Sequence, residues 1–478
     1  MSKARDEARD GGLVTTVDGT ATVTPRELRR RATAWALWDV GNSAFQAIVI
    51  TFVFATYLAS DLFLDPAVAA LGAADPQHPD YLAAQAASTG TIAAAITVSG
   101  FVVAVFAPAF GVRTDGAGRR KRWLAVYSGA TILCMFLMFA ITPDEPLLLW
   151  GAVLLAVGTV FSELAGVSYN AMLSQVSTRK TVGRVSGIGW GLGYIGSIVL
   201  LLLVLLLFIQ SFGREGTAGL LAVPSSQEGA ALNIRLVIVA SAIWYLGFSL
   251  PVLVRVPEIP ADPARRRIGF LQSYVELFRT VARVRRRSPR ILLFLLSSAI
   301  FRDGLAGIFS FGAILAAQVY GFDDGEVIYF AVAANLAAGA GTIAAGWLDD
   351  RLGPKAVMVG SLLALVACCA GILLLGNTAV TFWVLGLFLC LFVGPVQAAS
   401  RSYLSRVTPP GHEGELFGLY ATTNRVASFL APGLFTLFVT LTGQTKLGVI
   451  GLGLVLALGL VLLLPVRARE ARITLKPS

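Results

Sequence analysis

The sequence predicts an all-α polytopic membrane protein of twelve transmembrane helices in two six-helix halves. Three observations predict it. Of 478 residues, 56% are apolar and only 14% charged, with a mean hydropathy of +0.74, whereas soluble domains carry roughly a quarter charged residues. The apolar residues fall in runs of about 20, the length that crosses a ~30 Å hydrocarbon core, and the charges collect between the runs. The third observation is a duplication. Gly111-Val-Arg-Thr-Asp-Gly-Ala-Gly-Arg-Arg-Lys121 is matched 235 residues later by Gly346-Trp-Leu-Asp-Asp-Arg-Leu-Gly-Pro-Lys355. In both, a Gly is followed four residues on by an Asp (Asp115, Asp350), and a second Gly (Gly118, Gly353) follows three residues after that. Such recurrence marks an internal repeat.

Residues 1–34 form a polar arm without the apolar core of a cleavable signal peptide, and they read as a disordered tail. The first half, 35–254, holds spans at about 35–59, 89–112, 123–142, 147–170, 185–210 and 233–254. A connection, 255–290, divides the halves. Within it Leu271, Tyr274, Val275, Phe278 and Val281 recur at three- and four-residue spacing, and five arginines from Arg279 to Arg287 crowd its end. This is the pattern of an amphipathic helix lying on an anionic leaflet. The second half, 291–465, holds spans at about 291–319, 326–348, 355–375, 380–400, 415–441 and 446–465. Residues 466–478 read as a second polar tail.

The N-terminal arm, the loops near 113–122, 179–184, 255–290, 351–355 and 401–406, and the C-terminal tail hold 33 of the 38 Lys and Arg residues. The opposite loops hold Arg214, Arg235 and Lys446. Positive charge marks the cytoplasmic side, so both termini are expected there, in a plasma (inner) membrane. This placement accounts for the net charge of +10 and pI near 9.7 without a nucleic-acid partner.

The duplicated loops resemble the signature of the major facilitator superfamily, Gly-x-x-x-Asp-Arg/Lys-x-Gly followed by a basic run. The first copy has Gly116, and the second Pro354, where a basic residue is usual. The resemblance implies the major facilitator fold. An Asp so placed can pair with arginines at neighbouring helix ends and accept from a helix N-terminus. Gly111, Asp115, Gly118, Arg119 and Arg120, with Gly346, Asp350, Arg351, Gly353 and Lys355, are thus candidates for a cytoplasmic gate. The repeat continues in Gly183-Arg-Val-Ser-Gly187 and Gly414-Glu-Leu-Phe-Gly418. Two parallel halves imply alternating access around a midplane site.

Five further strings narrow the resemblance: Trp35-Ala-Leu-Trp-Asp-Val-Gly-Asn-Ser-Ala-Phe45, Val167-Ser-Tyr-Asn-Ala-Met-Leu173, Gly183 to Tyr194, Val396-Gln-Ala-Ala-Ser-Arg-Ser402 and Phe417-Gly-Leu-Tyr420. From about residue 33 onward the chain resembles the autophagy-related vacuolar amino-acid effluxer family and its bacterial permease relatives. The resemblance implies export of amino acids, and a cavity lined by spans one, four, seven and ten. Arg302 stands where this family usually has Asn.

Charges inside a bilayer are costly, so each implies a role. There are five: Asp39, Glu163, Arg302, Asp303 and Arg425. Arg302, Asp303 and Arg425 lie roughly 15–18 Å in from the cytoplasmic ends of their spans. Arg302 and Asp303 are about 100° apart on their helix, so at most one faces a cavity squarely. Arg425 or Arg302 is the candidate to hold a substrate carboxylate, with Asp303 pairing with an arginine or taking up a proton. A structural Arg–Asp bridge between spans seven and eleven is the competing assignment. Asn424, Gln397 and Asn42 are further substrate-binding candidates. Glu163, Asp303 and Asp39 are the proton-coupling candidates, and Glu163 has no base beside it in sequence. Pro432-Gly433 predicts a kink in span eleven.

No catalytic or cofactor-binding pattern is present. His78 and His412 lie in loops on opposite sides, the four cysteines lie inside spans without metal-ligand spacing, and no Gly-x-x-x-x-Gly-Lys-Ser/Thr loop occurs. The expectation is a monomeric secondary transporter, not an enzyme, with no cofactor and no metal. It would move a small polar solute through a lipid bilayer, amino acids first, with a proton as candidate coupling ion. Efflux of another solute class and a non-transporting scaffold are the alternatives.

Overall fold

The structure, a computed structural model, describes residues 12–211, 217–225, 230–259, 269–376 and 378–467. Parts of both predicted tails, of the connection after span five and of the central connection lie outside the described residues. Among the described residues, eleven helices are long and apolar enough to cross a bilayer: Pro25–Leu58, Pro79–Asp115, Leu147–Gln175, Val182–Ile209, Leu232–Arg255, Pro289–Tyr320, Glu326–Leu352, Pro354–Leu374, Ala379–Val407, Glu413–Thr442 and Thr445–Leu463. The helix Arg120–Met138 lies third in order and makes the set twelve. Arg120, Lys121 and Arg122 in its first turn dilute its apolarity. The helices are called spans one to twelve in chain order. Large apolar side chains such as Val254 and Leu374 point outward, 78% and 84% exposed. In a bilayer that exterior is solvated by lipid.

Spans one and two begin at Pro25 and Pro79, not near 35 and 89. Thr24 Oγ1 accepts from the Glu27 N–H and His78 Nδ1 from the Asp80 N–H, each just ahead of a proline in the first helical turn. Hydropathy misses these starts because the first turns are polar, whereas capping and proline chemistry favour them. The arm before span one also departs from the expected disorder. Val14–Thr15 and Thr22–Val23 pair as an antiparallel hairpin. Its turn buries Thr16, Val17 and Asp18, with the Val17 N–H on the Ser177 carbonyl (2.9 Å). The Asp18 carboxylate closes the turn on Thr16 Oγ1 (2.7 Å) and the Thr20 N–H (3.1 Å).

Two prolines shape the midplane. Span eleven breaks into Glu413–Ala427 and Leu430–Thr442, because Pro432 offers no N–H to the preceding turn. Pro108 in span two likewise frees the Ala104 carbonyl, which accepts from Thr422 Oγ1 of span eleven (3.0 Å). Span two packs along span eleven, and span five along span eight. These two pairs join the halves and are equivalent under the repeat. Their glycines permit the contact. A Cβ on Gly111 would lie 2.1 Å from the Gly414 carbonyl oxygen, and one on Gly187 would lie 2.7 Å from the Thr342 carbonyl oxygen.

The linker helix Phe270–Arg287 buries Ser273, Leu277, Thr280 and Val284 against the bundle. Tyr274 Oη donates to the Val105 carbonyl of span two (2.9 Å). Val275 and Phe278 of the predicted apolar stripe stay exposed. The helix thus has two apolar faces, one for the protein and one left outward.

Candidate functional site

A cavity of about 720 Å³ lies between the halves. Spans one, four, five, seven, eight and eleven supply its wall, and span ten adds only Cys390 and Arg401. The expected lining by spans one, four, seven and ten is corrected accordingly. Span ten is covered by span eight, so closely that a Cβ on Gly394 would meet Thr342 Oγ1 at 1.6 Å. Part of span one's wall, including Gln46 and Thr51, comes from a π-helical stretch, Phe45–Phe52, a device that recurs at functional sites. Trp190, Tyr194, Phe309, Phe417 and Tyr420 give the wall an aromatic character.

The polar groups collect on particular faces of this wall. Arg302 lines the cavity, with its guanidinium 3.9 Å from the Tyr420 ring centre and Nη1 donating to the Tyr420 carbonyl (3.2 Å). No carboxylate among the described residues pairs with it. Asp39 also lines the cavity. Its Oδ2 accepts from Tyr169 Oη (2.9 Å) and faces Arg401 Nη1 at 3.5 Å. Asn42 Oδ1 is taken by Ser162 Oγ and Tyr245 Oη, both at 3.0 Å, so its side chain ties span one to spans four and six. Glu163 lines the cavity and pairs with Arg425 Nη2 across the two halves.

Asp303 faces away from the cavity. It is buried, and its Oδ2 accepts from the Ala431 N–H (2.6 Å) at the start of the second segment of span eleven. The Arg–Asp bridge between spans seven and eleven, the competing assignment, is not formed among the described residues. Spans seven and eleven are joined instead by this helix cap and by Arg302 on Tyr420. Asn424 and Gln397 are not part of the cavity wall. Asn424 Oδ1 is buried without a hydrogen-bond partner among the described residues.

Arg401 went unrecognised in the sequence, where it reads as a loop residue past span ten. The helix runs on to Val407, and Arg401 is only 1% exposed. Its Nε donates to Ser186 Oγ (3.0 Å), Nη2 to the Ser186 carbonyl (2.7 Å) and Nη1 to Asn170 Oδ1 (3.1 Å). The indoles of Trp35 and Trp190 lie 4.9 and 5.0 Å from it. The available signal was its place in the string Val396 to Ser402.

Below Arg401 the duplicated loops close the basic end of the bundle. Asp115 accepts from the Gly414 and Glu415 N–H groups at 2.9 and 2.8 Å, and from Arg120 Nη2 at 2.6 Å. Arg120 also reaches Glu413 (2.5 Å). Asp350 accepts from the Gly183 and Arg184 N–H groups at 2.8 and 3.1 Å, and Arg406 bridges Asp349 and Asp350. Each loop Asp thus sits at the N-terminus of a span in the opposite half, where the positive end of the helix dipole favours an anion. Arg119 and Arg351 stay exposed, and Lys355 Nζ donates to the Leu464 carbonyl (2.7 Å). Arg406, Asp349 and Glu413 were not singled out in the sequence, although Asp349 adjoins the motif Asp.

Residues 27–476 match the family described as vacuole effluxer Atg22 like. YxiO of Bacillus subtilis, an uncharacterized MFS-type transporter, is 27% identical over 444 residues, 92% of this chain and 95% of that protein. Autophagy-related protein 22 of Cryptococcus neoformans is 25% identical over 315 residues, 61% of this chain, and the matched region spans about half of that protein (51%). The human organic anion transporter MFSD10 (TETRAN) shares the fold, with a TM-score of 0.69 at 15% identity over 91% of this chain and 99% of that one. A match running through all twelve spans, on a major facilitator fold with its duplicated loops in register, makes this chain a major facilitator-type transporter that belongs to the vacuole effluxer Atg22-like family.

Proposed function

We propose that this transporter moves small zwitterionic solutes, amino acids first, by alternating access through the central cavity. Arg302 holds the carboxylate and Asp39 the ammonium group. The observation that carries this reading is Arg302: a guanidinium on a cavity wall, backed by Tyr420, with no carboxylate partner among the described residues. A half-buried cation inside a membrane span without an anion is costly, and its planar fork suits a carboxylate. Asp39 Oδ2 is occupied by Tyr169 and Arg401, and its other oxygen makes no hydrogen bond among the described residues. Arg425, already paired with Glu163, is the weaker clamp.

Glu163 is the group we assign to proton coupling. Its carboxylate reaches both the cavity and a cation of the other half, so protonation would break one bond between the halves. We take the protein to work as a monomer in the plasma membrane, and the Lys and Arg asymmetry supports an orientation with the basic end in the cytoplasm.

Thermal unfolding of the purified protein with amino acids and common metabolites tests the reading. A ligand at 100 times its dissociation constant adds about 2.7 kcal/mol of stability. Arg302→Ala should weaken binding of carboxylate-bearing solutes about 10–100-fold, the loss of a charge-assisted hydrogen bond worth roughly 1.5–3 kcal/mol. Arg302→Lys, a cation without the fork, should fall between. Equal affinity in wild type and Arg302→Ala would remove the clamp.

A further inference from the structure

Arg401 belongs to the second half of the molecule, yet the side chains it bonds belong to the first: Asp39 on span one, Asn170 on span four and Ser186 on span five. Trp35, Trp190 and Tyr169 of those same spans enclose its guanidinium. The end of the molecule carrying the basic loops cannot open unless Arg401 leaves this pocket. Among the described residues only one of its partners is an anion, and that anion, Asp39, also borders the cavity. The remaining acceptors, Asn170 Oδ1, Ser186 Oγ and the Ser186 carbonyl, are neutral. A buried guanidinium that loses its carboxylate is costly to keep buried.

We infer that Arg401 couples cargo to gating: an ammonium group seated on Asp39 draws off the charge that holds Arg401, and the basic-loop end is then free to open. This rests on the assignment of Asp39 as the ammonium seat. The thermodynamic requirement is met, because Asp39 binds an ammonium more tightly once Arg401 has gone, so the cargo favours the open state. With the cavity empty, the full charge of Asp39 faces Arg401 and the end stays shut, which prevents leakage. The pair also sets specificity. A carboxylic acid without an amine occupies Arg302 but leaves Asp39 and Arg401 together, so it is bound and not moved.

The test uses the full-length protein in vesicles, with its four cysteines replaced by alanine and Ala398→Cys as a probe. Ala398 is 3% exposed, and its carbonyl accepts from Ser186 Oγ (2.8 Å) at the interface that must part. Labelling by an impermeant maleimide from the basic-loop side is followed with no solute, with phenylalanine and with 3-phenylpropionate, beside phenylalanine flux. The parent should label slowly, about fivefold or more faster with phenylalanine, and no faster with 3-phenylpropionate. Arg401→Gln should label fast under all three conditions, with kcat for flux falling about tenfold or more and KM lowered or unchanged, because Asp39 has lost its competing cation. Arg401→Lys should restore much of the response to phenylalanine, and it serves alone if the glutamine variant does not fold. Slow labelling of Arg401→Gln overturns the inference, as does a raised KM with the solute response intact, which would make Arg401 a cargo ligand. Normal phenylalanine flux in the parent without a labelling response overturns the coupling and leaves the transport reading standing. Absence of binding and flux for every amino acid overturns the transport reading, and the coupling falls with it.

Discussion

At the scale of single residues, the duplicated loops use glycine for two separate reasons. Gly118 and Gly353 have φ of +61° and +90°, a region where a Cβ costs roughly 1–2 kcal/mol. Gly111 and Gly346 are needed for close approach, with Gly111 against Gly414 and Gly346 against Gly183 and Gly187. The second pair of constraints acts on one state only, because opening the basic end must separate span two from span eleven. Gly111→Ala should therefore penalise the closed state by about 1–3 kcal/mol, the usual cost of overpacking, while leaving the open state untouched. A cysteine probe at that end should label faster and net flux should fall. Gly129→Ala is the control, since a Cβ there meets nothing within 4 Å, and it should leave both unchanged. If the two alanine variants behave alike, the glycine contact does not govern closure.

At the scale of elements, carboxylates on neighbouring elements hold the starts of several helices. Asp115 caps span eleven and Asp350 caps span five. Glu258 accepts from the Lys121 and Arg122 N–H groups at the start of span three, at 2.9 and 3.0 Å. Asp303 caps the segment Leu430–Thr442. Removing that last cap with Asp303→Ala should lower stability by about 0.5–2 kcal/mol in thermal or denaturant unfolding. Asp303→Asn separates two roles. An Asn caps nearly as well but carries no proton, so flux should survive in it; loss of flux at full stability would return Asp303 to the coupling candidates. The helices themselves were legible in the sequence because each had to stay apolar across the width of the bilayer. Caps were less so: Asp115 was readable because its motif occurs twice, and the Pro432 break because proline chemistry is local. Arg401 was not readable. Its anionic partner lies 362 residues away, and nothing short of the folded bundle brings spans one, four, five and ten around it. The hairpin at 14–23 was hidden for a related reason. It is docked on Ser177 and the loop after span four, and the local signal was its Asp18-Gly19 turn, with Gly19 at φ +75°.

At the scale of the whole molecule, the repeat gives two equivalent latches, and both are engaged here. One joins Asp115 and Arg120 to the start of span eleven; the other joins Asp350, itself held by Arg406, to the start of span five. They share no residue, so their contributions to closure should add. Each Asp accepts two backbone N–H bonds, and a hydrogen bond to a charged group is worth roughly 1.5–3 kcal/mol. Asp115→Asn and Asp350→Asn should each weaken closure by about that amount, a shift of roughly 10–100-fold toward the state open at the basic end. The double variant should shift it by the product. Spin labels on spans two and eleven, read as a distance distribution, would report the populations directly. A double variant no more open than either single one would mean that the latches act as one unit, and the six-helix halves would then part by hinging about a single pair. Additive shifts would mean that the duplication supplies two independent locks on one transition. In that case a transporter with one lock weakened should still cycle but leak, and its uncoupled flux should rise with the fraction open.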